Sequence, residues 1–325
     1  MTDVKEIGGY FEMEELCGEE YYPDLLRLNL GRTALLFLLQ RRGCGELFLP
    51  HYLCDSVIEA CKNSGVNISF YSVGEDFLPR IDALPEGAWL YLVNYYGQLT
   101  DDVIRAFQEK YQRIIVDQTH AFYQRPLEHV DTIYSPRKFF GLPDGAYLAG
   151  DLAALPETDQ LPRDFSTERM EHILGRYEKG GNAYYSVMLK NADTFHSMDI
   201  RNMSRLTQNL LRGIDYDRCA RKRKENYRAL AAVLDGRNPL PLQEPQVPMC
   251  YPFYAENGPE LRQLLAQEQI YVPVYWKNVM NEMPKDSVEY RYAANILPLP
   301  CDQRYEPEDM ERVAEAVLRL CGRTL

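Results

Sequence analysis

Five short stretches of this sequence carry residue types that can do chemistry together: Gly31-Arg32-Thr33, His51-Tyr52, Asn94-Tyr95-Tyr96-Gly97-Gln98, Asp117-Gln118-Thr119-His120 and Ser135-Pro136-Arg137-Lys138. Free amides at a helix N-terminus suit a phosphate dianion. Gly31 lets backbone approach a ligand closely, and Arg32 adds a positive charge. Asp117 ends the apolar run Ile114-Ile115-Val116, where a buried carboxylate can keep a ring nitrogen protonated. Lys138 offers an amine able to form a Schiff base with an aldehyde. Tyr52 can lay an aromatic face on a flat ring, and His120 adds an imidazole. Together these are the requirements of pyridoxal phosphate (PLP).

Taken singly, each residue has a plainer reading. Asp117 could be a structural cap and Gly31 ordinary helix capping. Lys138 could be solvent-exposed, Tyr52 core among 24 tyrosines, and His120 a satisfied core histidine. Their order along the chain is what joins them, so the elements that position them matter.

Short strand-like and longer helix-like segments alternate through the first half. The expected strands are 46–49, 67–71, 89–94, 113–116, 132–135 and 146–149, with helices at 34–39, 56–63 and 101–111. Such alternation implies a mostly parallel sheet covered by helices on both faces. In open sheets of that kind, ligands bind beyond the carboxyl ends of the strands. The five stretches all follow such strands or open a helix.

After about Asp151 the pattern becomes mainly helical to 228, with a long charged helix at 217–234. A proline-rich stretch follows at 239–252. Then come a helix at 260–268, an extended segment at 271–274 and a closing helix at 307–320 whose first residue is Pro307. The expected fold class is α/β: a large domain, 1–210, with a mostly parallel seven-stranded sheet sandwiched by helices, and a small C-terminal α+β domain, 211–325.

Composition narrows the function classes. The chain has 325 residues, 46% of them hydrophobic, and a net charge of −12 from 48 acidic against 36 basic residues. That supports a packed core and argues against nucleic-acid or anionic-membrane binding. The basic run 218–224 reads as a solvated helix face. The longest apolar run, 34–39, is far below the roughly 18 residues a membrane helix needs. Glu6, Glu12, Glu14 and Glu15 stand where a signal peptide would be apolar, so a cytoplasmic location is expected. The eight cysteines form no C-x-x-C pair and are expected as free thiols; with five scattered histidines, no zinc site is expected.

The sequence resembles the DegT/DnrJ/EryC1/StrS family of sugar aminotransferases, which are PLP enzymes of fold type I. The stretch 92–98 followed by 114–121 is similar to that family's "HLYGQ … EDAAQA" passage. Ser135-Pro136-Arg137-Lys138 resembles the end of S-F-x-P-T-K, Asp144-Gly145-Ala146 its E-G-G, and Gly31-Arg32-Thr33-Ala34-Leu35 its G-T-x-A-L. His51-Tyr52 stands at a Thr-aromatic pair. Met203-Ser204 and the helix through Arg221, Arg223 and Tyr227 resemble its "RMSE … RR … Y".

The resemblance implies roles. Lys138 would be the Schiff-base lysine, and when free would carry protons. Asp117 would pair with the pyridinium nitrogen, His120 would stand near the phenolic oxygen, and Tyr52 would stack on the ring. Gly31, Arg32 and Ser135 would hold the phosphate, with Asn202 as a candidate from a neighbouring subunit. An amino group would pass from a donor such as glutamate to a keto acceptor, typically a nucleotide-linked ketosugar, in a C2 homodimer. Two departures stand out: Arg32 replaces a threonine, and Ile200 falls where the family has its cross-subunit asparagine. The pairs Tyr184-Tyr185 and Tyr275-Trp276 could line the acceptor pocket, an interface or the core. Arg137 and Arg201 are candidates for a carboxylate clamp, and Arg137 equally for a surface ion pair. Other readings stay open: a dehydratase on the same scaffold, which Lys138 argues against; a degenerate PLP-binding or cofactor-free paralogue with a regulatory role; and an α/β protein without PLP.

Overall fold

The computed structural model describes residues 7–151, 160–195 and 198–322. In chain order the first half contains β1 (Leu26–Leu28), α1 (Gly31–Arg42), β2 (Glu46–Pro50), α2 (Asp55–Lys62), β3 (Asn67–Val73), β4 (Pro79–Arg80), β5 (Trp89–Val93), α3 (Asp101–Tyr111), β6 (Ile114–Asp117), β7 (Asp131–Tyr134) and β8 (Ala146–Ala149). These strands form one eight-stranded sheet in the order β1-β8-β7-β6-β5-β2-β3-β4. It has one strand more than the seven expected, and the shortest, the edge strand β4, has only two residues.

Neighbours from β3 through β2, β5 and β6 to β7 pair in parallel. Strands β5 to β8 are buried along their whole length, as a sheet covered on both faces requires. Strand β8 is antiparallel to β7, and β1 is antiparallel to β8. Strand β1 therefore runs in the same direction as the parallel set. Its exit, and with it the N-terminus of α1, lies at the same edge as the carboxyl ends of β2, β5, β6 and β7.

Helix α1 is almost wholly apolar from Ala34 to Leu39 and is correspondingly buried against the sheet. Its start is fixed by Thr33, whose hydroxyl accepts from the Leu30 N–H at 3.2 Å and donates to Asn29 Oδ1 at 2.6 Å. It ends at Gly43, whose left-handed backbone (φ 58°) is the usual way to stop a helix.

The second half holds α4 (Glu171–Lys179), α5 (Tyr185–Thr194), α6 (Arg205–Arg212), α7 (Tyr216–Leu234), β9 (Cys250–Tyr254), α8 (Gly258–Gln267), α9 (Lys277–Glu282), α10 (Val288–Asn295), β10 (Ile296–Pro300) and α11 (Pro307–Cys321). The helical run expected over 151–228 is present, although its positions 152–159 and 196–197 lie outside the described residues. Residues 271–274, expected to be extended, join no strand.

The sequence reading missed the ribbon of β9 and β10. The two strands pair antiparallel with Pro252 opposite Pro298. Proline lacks the N–H of a ladder and marks loops in a sequence, but a two-stranded ribbon has free edges to spare for it. Residues of α7, α8, α11, β9 and β10 form a second hydrophobic cluster, apart from the large one around the sheet. Among the described residues, no helix is long and apolar enough to cross a membrane.

Candidate active site

Four of the five stretches sit at one edge of the sheet because four parallel strands end there. The fifth, at the start of α1, joins them through β1. A Cβ added to Gly31 would lie 3.9 Å from Ser135 Cβ, so the first residue of α1 and the residue after β7 are neighbours. That is ordinary contact; as the first residue of α1, Gly31 has an N–H without an intrahelical acceptor.

Asp117 ends β6 and is 7% exposed. Its Oδ2 accepts from the Tyr91 hydroxyl and its Oδ1 from the Thr119 N–H, both at 2.8 Å. Burial pushes its pKa up, while these donors and the charge of Lys138 oppose the rise.

His120 is also buried. Tyr96 N–H donates to its Nδ1 at 3.4 Å, which leaves the proton of the neutral ring on Nε2. Burial, then the charge of Lys138, holds its pKa down to about 3. Tyr96 reaches this position from left-handed backbone (φ 55°), a conformation costing a large residue on the order of 1–2 kcal/mol. The next residue must be glycine: a Cβ on Gly97 would come within 2.8 Å of Pro245 Cβ. Below them Asn94 ties the loops after β5 and β6, donating to Gln118 Oε1 and Gln124 Oε1 at 2.8 Å.

Lys138 closes a one-turn 3-10 helix, Pro136–Lys138, directly after β7. Its side chain reaches open space in a cavity of about 760 Å³, yet protein crowds the amine closely. Burial pushes its pKa down; Cys54 opposes this, Arg137 reinforces it, Asp117 opposes and Arg32 reinforces. Asp117 and His120 thus each lie within electrostatic reach of Lys138.

Two arginines flank the lysine. Arg32 donates to the Phe195 carbonyl at 3.4 Å, and the Arg137 guanidinium lies 4.0 Å from the Phe195 ring centroid. Arg137 Nε is buried without a partner, and burial lowers the pKa of this group to about 10. Arg137 is therefore a wall of the cavity and not a surface ion-pair residue.

Tyr52 is wholly buried among aromatics. Its ring meets Trp276 edge-on at 4.9 Å and Tyr95 at 5.1 Å, and its hydroxyl bonds the Tyr96 hydroxyl at 3.2 Å. Trp276 also stacks on His120 at 5.9 Å, and Tyr275 lines the cavity. Tyr184 packs against Gly175, and Tyr185 is exposed on α5.

Asn202 is tied locally: its side chain donates to the Leu161 carbonyl at 3.0 Å, and its backbone bridges Leu28 and Arg163. Arg201 pairs loosely with Asp199 at 3.6 Å and does not line the cavity. Sequence reasoning missed Tyr91, which is one of five consecutive buried residues in β5 and carries no local motif. It also missed the cavity's charge. Five basic side chains (Arg137, Lys138, Arg176, Arg223 and Arg304) face one carboxylate, Asp302, which is ion-paired to Arg304 at 2.6 Å.

Solved structures match this architecture. DesV from S. venezuelae is 20% identical, with a TM-score of 0.63 over 91% of this chain and 84% of that one. Spr1654 from Streptococcus pneumoniae, assigned as a sugar aminotransferase and solved in its PLP form, is 17% identical, with a TM-score of 0.65 over 93% and 88%. A DegT DnrJ EryC1 StrS aminotransferase from Brucella abortus is 15% identical, with a TM-score of 0.64 over 92% and 86%. The chain has the fold of these aminotransferases. No protein-family model matches the sequence, and no curated protein does. That shared fold accounts for the parallel sheet and for the edge that carries both Asp117 and Lys138.

Proposed function

We propose that this protein is a PLP-dependent aminotransferase of the DegT/DnrJ/EryC1/StrS type, with Lys138 as its Schiff-base lysine. The observation that carries the reading is the convergence of Lys138, Asp117 and His120 at the carboxyl edge of the sheet, beside the α1 N-terminus. The residues fit the cofactor. Asp117 is a buried carboxylate, Arg137 has an orphaned buried N–H, and Lys138 has an amine facing a cavity.

Bound PLP would supply an aldehyde for the lysine and a ring that withdraws electrons from a substrate carbon. The chain's own groups would do the rest. A lowered pKa leaves more of Lys138 Nζ unprotonated, which suits bonding to a carbonyl and then moving a proton. Tyr91 and Thr119 favour the ionised Asp117 that would face a ring nitrogen. His120 Nε2–H would donate to a ring oxygen. Gly31, Arg32 and Ser135 would hold the phosphate, and Tyr52 would pack near the ring.

Glutamate is the proposed donor. The basic cavity wall, in a chain of net charge −12, favours an anionic keto acceptor such as a nucleotide-linked ketosugar. A homodimer is part of the proposal, supported by Leu174, Tyr177, Tyr185 and Leu189, which are exposed on the α4–α5 hairpin. Asn202 from a second copy could add to the phosphate site. Residues 211–325 would form the small domain, and the protein would work in the cytoplasm.

The deciding experiment is an absorption spectrum of the wild type and Lys138→Ala, with PLP and then glutamate added. The expected result is a visible band that only the wild type shows and that glutamate bleaches. A wild type that takes up no PLP overturns the proposal in favour of a degenerate scaffold.

A further inference from the structure

Arg223 of α7 is 2% exposed, and among the described residues its donors reach no carboxylate, although Asp302 lies within electrostatic reach. Its donors go to neutral acceptors in three separate segments. Nη2 donates to the Phe139 carbonyl at 2.9 Å, Nη1 to the Pro248 and Met249 carbonyls at 3.1 Å, and Nε to Gln303 Oε1 at 2.7 Å. The guanidinium also lies 4.5 Å from the Phe139 ring centroid. Gln303 Nε2 donates to the same Phe139 carbonyl at 2.9 Å. Asp302 acts on the guanidinium through its charge without bonding it, so the cation is held by neutral acceptors; burying a cation in this way is expensive, and a residue serving only to fill space would not carry one. Arginine alone has enough fixed N–H groups to join two backbone segments and the Gln303 side chain at once.

The segment that matters for chemistry is the one whose carbonyl accepts from both Arg223 and Gln303. Phe139 directly follows Lys138, and its own N–H donates to the Pro136 carbonyl at 2.9 Å, closing the turn that aims the lysine. The other two segments lead into β9 and out of β10. Arg223 thus couples the Lys138 turn to the β9–β10 ribbon and its flanking loop.

We propose that Arg223 is a positioning residue for Lys138. It clamps the Phe139 carbonyl, together with Gln303, so that the amine points into the cavity only when the β9–β10 ribbon is seated. This deepens the aminotransferase reading and rests on it. Four of the five N–H groups are already engaged within the chain, so Arg223 acts through Lys138 and not by holding substrate.

The test compares wild type, Arg223→Met, Arg223→Lys and Gln303→Leu. Readouts are thermal melting, the pH titration of the visible PLP band, and kcat and KM with glutamate. In Arg223→Met the loosened turn admits water to the amine. The band's pKa should rise by about one unit, and kcat should fall about tenfold with KM nearly unchanged. Arg223→Lys should not restore either, because one ammonium cannot span the three segments. Gln303→Leu, which removes only the second bond to Phe139, should shift the band in the same direction by less. If Arg223→Met does not fold, Gln303→Leu decides alone. Variants that take up PLP with an unchanged band titration and kcat overturn the inference and leave the aminotransferase reading standing. A raised KM with unchanged kcat also overturns it, in favour of substrate binding. A wild type that takes up no PLP removes both.

Discussion

Tyr91 on β5 and Asp117 on β6 are diagonal neighbours, Tyr91 pairing with Ile115 and Asp117 with Val93, and the tyrosine hydroxyl donates to Asp117 Oδ2 at 2.8 Å. The bond supports the ionised carboxylate against the burial that opposes it. Removing it in Tyr91→Phe leaves a buried carboxylate oxygen without its donor, at a cost of roughly 1.5–3 kcal/mol. The Asp117 pKa should rise further, so the acid limb of the pH–rate profile should move to higher pH. Urea denaturation and a pH series of kcat/KM check both. An unchanged acid limb would separate Tyr91 from the function of Asp117.

The parts of this arrangement that were legible in the sequence share a physical cause. Asp117 ends an apolar run short enough to be a buried strand, Lys138 follows the short strand-like stretch 132–135, and parallel strands bring their ends to one edge whatever lies between. Gly31 and the apolar α1 were visible for the same reason. Tyr91 was not, because in a strand buried on both faces no periodicity tells which side chain meets a carboxylate on the next strand. The β9–β10 ribbon was hidden by Pro252 and Pro298, which write a loop signature into paired strands. The basic cavity wall was invisible because Arg137, Arg176, Arg223 and Arg304 come from four distant segments.

His120 makes the protein sensitive to acid. Its pKa is about 3 in the folded chain against a usual 6.5, so between those values the unfolded chain binds the extra proton. Stability from this residue is complete above about pH 6.5 and falls as the pH drops toward 3. The 3.5-unit difference sets an upper bound of about 5 kcal/mol. His120→Gln, which cannot titrate, should denature at a lower pH than the wild type. Circular dichroism followed from pH 7 to 3 tests this, and coincident midpoints would show that another group governs acid unfolding.

The cavity wall predicts a salt effect. If the acceptor is anionic, its KM should rise with ionic strength, because the exposed Arg176 is screened by added salt. Arg176→Gln should raise KM for that acceptor about threefold to tenfold at low salt and flatten the salt dependence. The kcat should hold. A steady-state series from low to moderate potassium chloride measures it, and a salt-independent KM in the wild type would mean that the acceptor is not recognised by charge.

Asp144 carries the largest structural prediction. It stands where the resemblance has E-G-G, and it is 0% exposed. Oδ2 accepts from the Ser204 N–H at 2.8 Å, and Oδ1 from the Ser204 hydroxyl at 2.7 Å and from the Thr207 hydroxyl. Ser204 is also the N-cap of α6, its hydroxyl accepting from the Thr207 N–H at 3.1 Å. One carboxylate therefore seats the start of α6 on the loop before β8, and its charge helps keep Arg137 protonated. Asp144→Ala strands three donors in a site closed to water, a loss of roughly 3–5 kcal/mol. Asp144→Asn keeps an acceptor oxygen but turns an amide toward donors, and should lose about half as much. Urea midpoints at constant slope read both. A loss below about 1 kcal/mol for Asp144→Ala would mean that α6 is anchored by its apolar face alone.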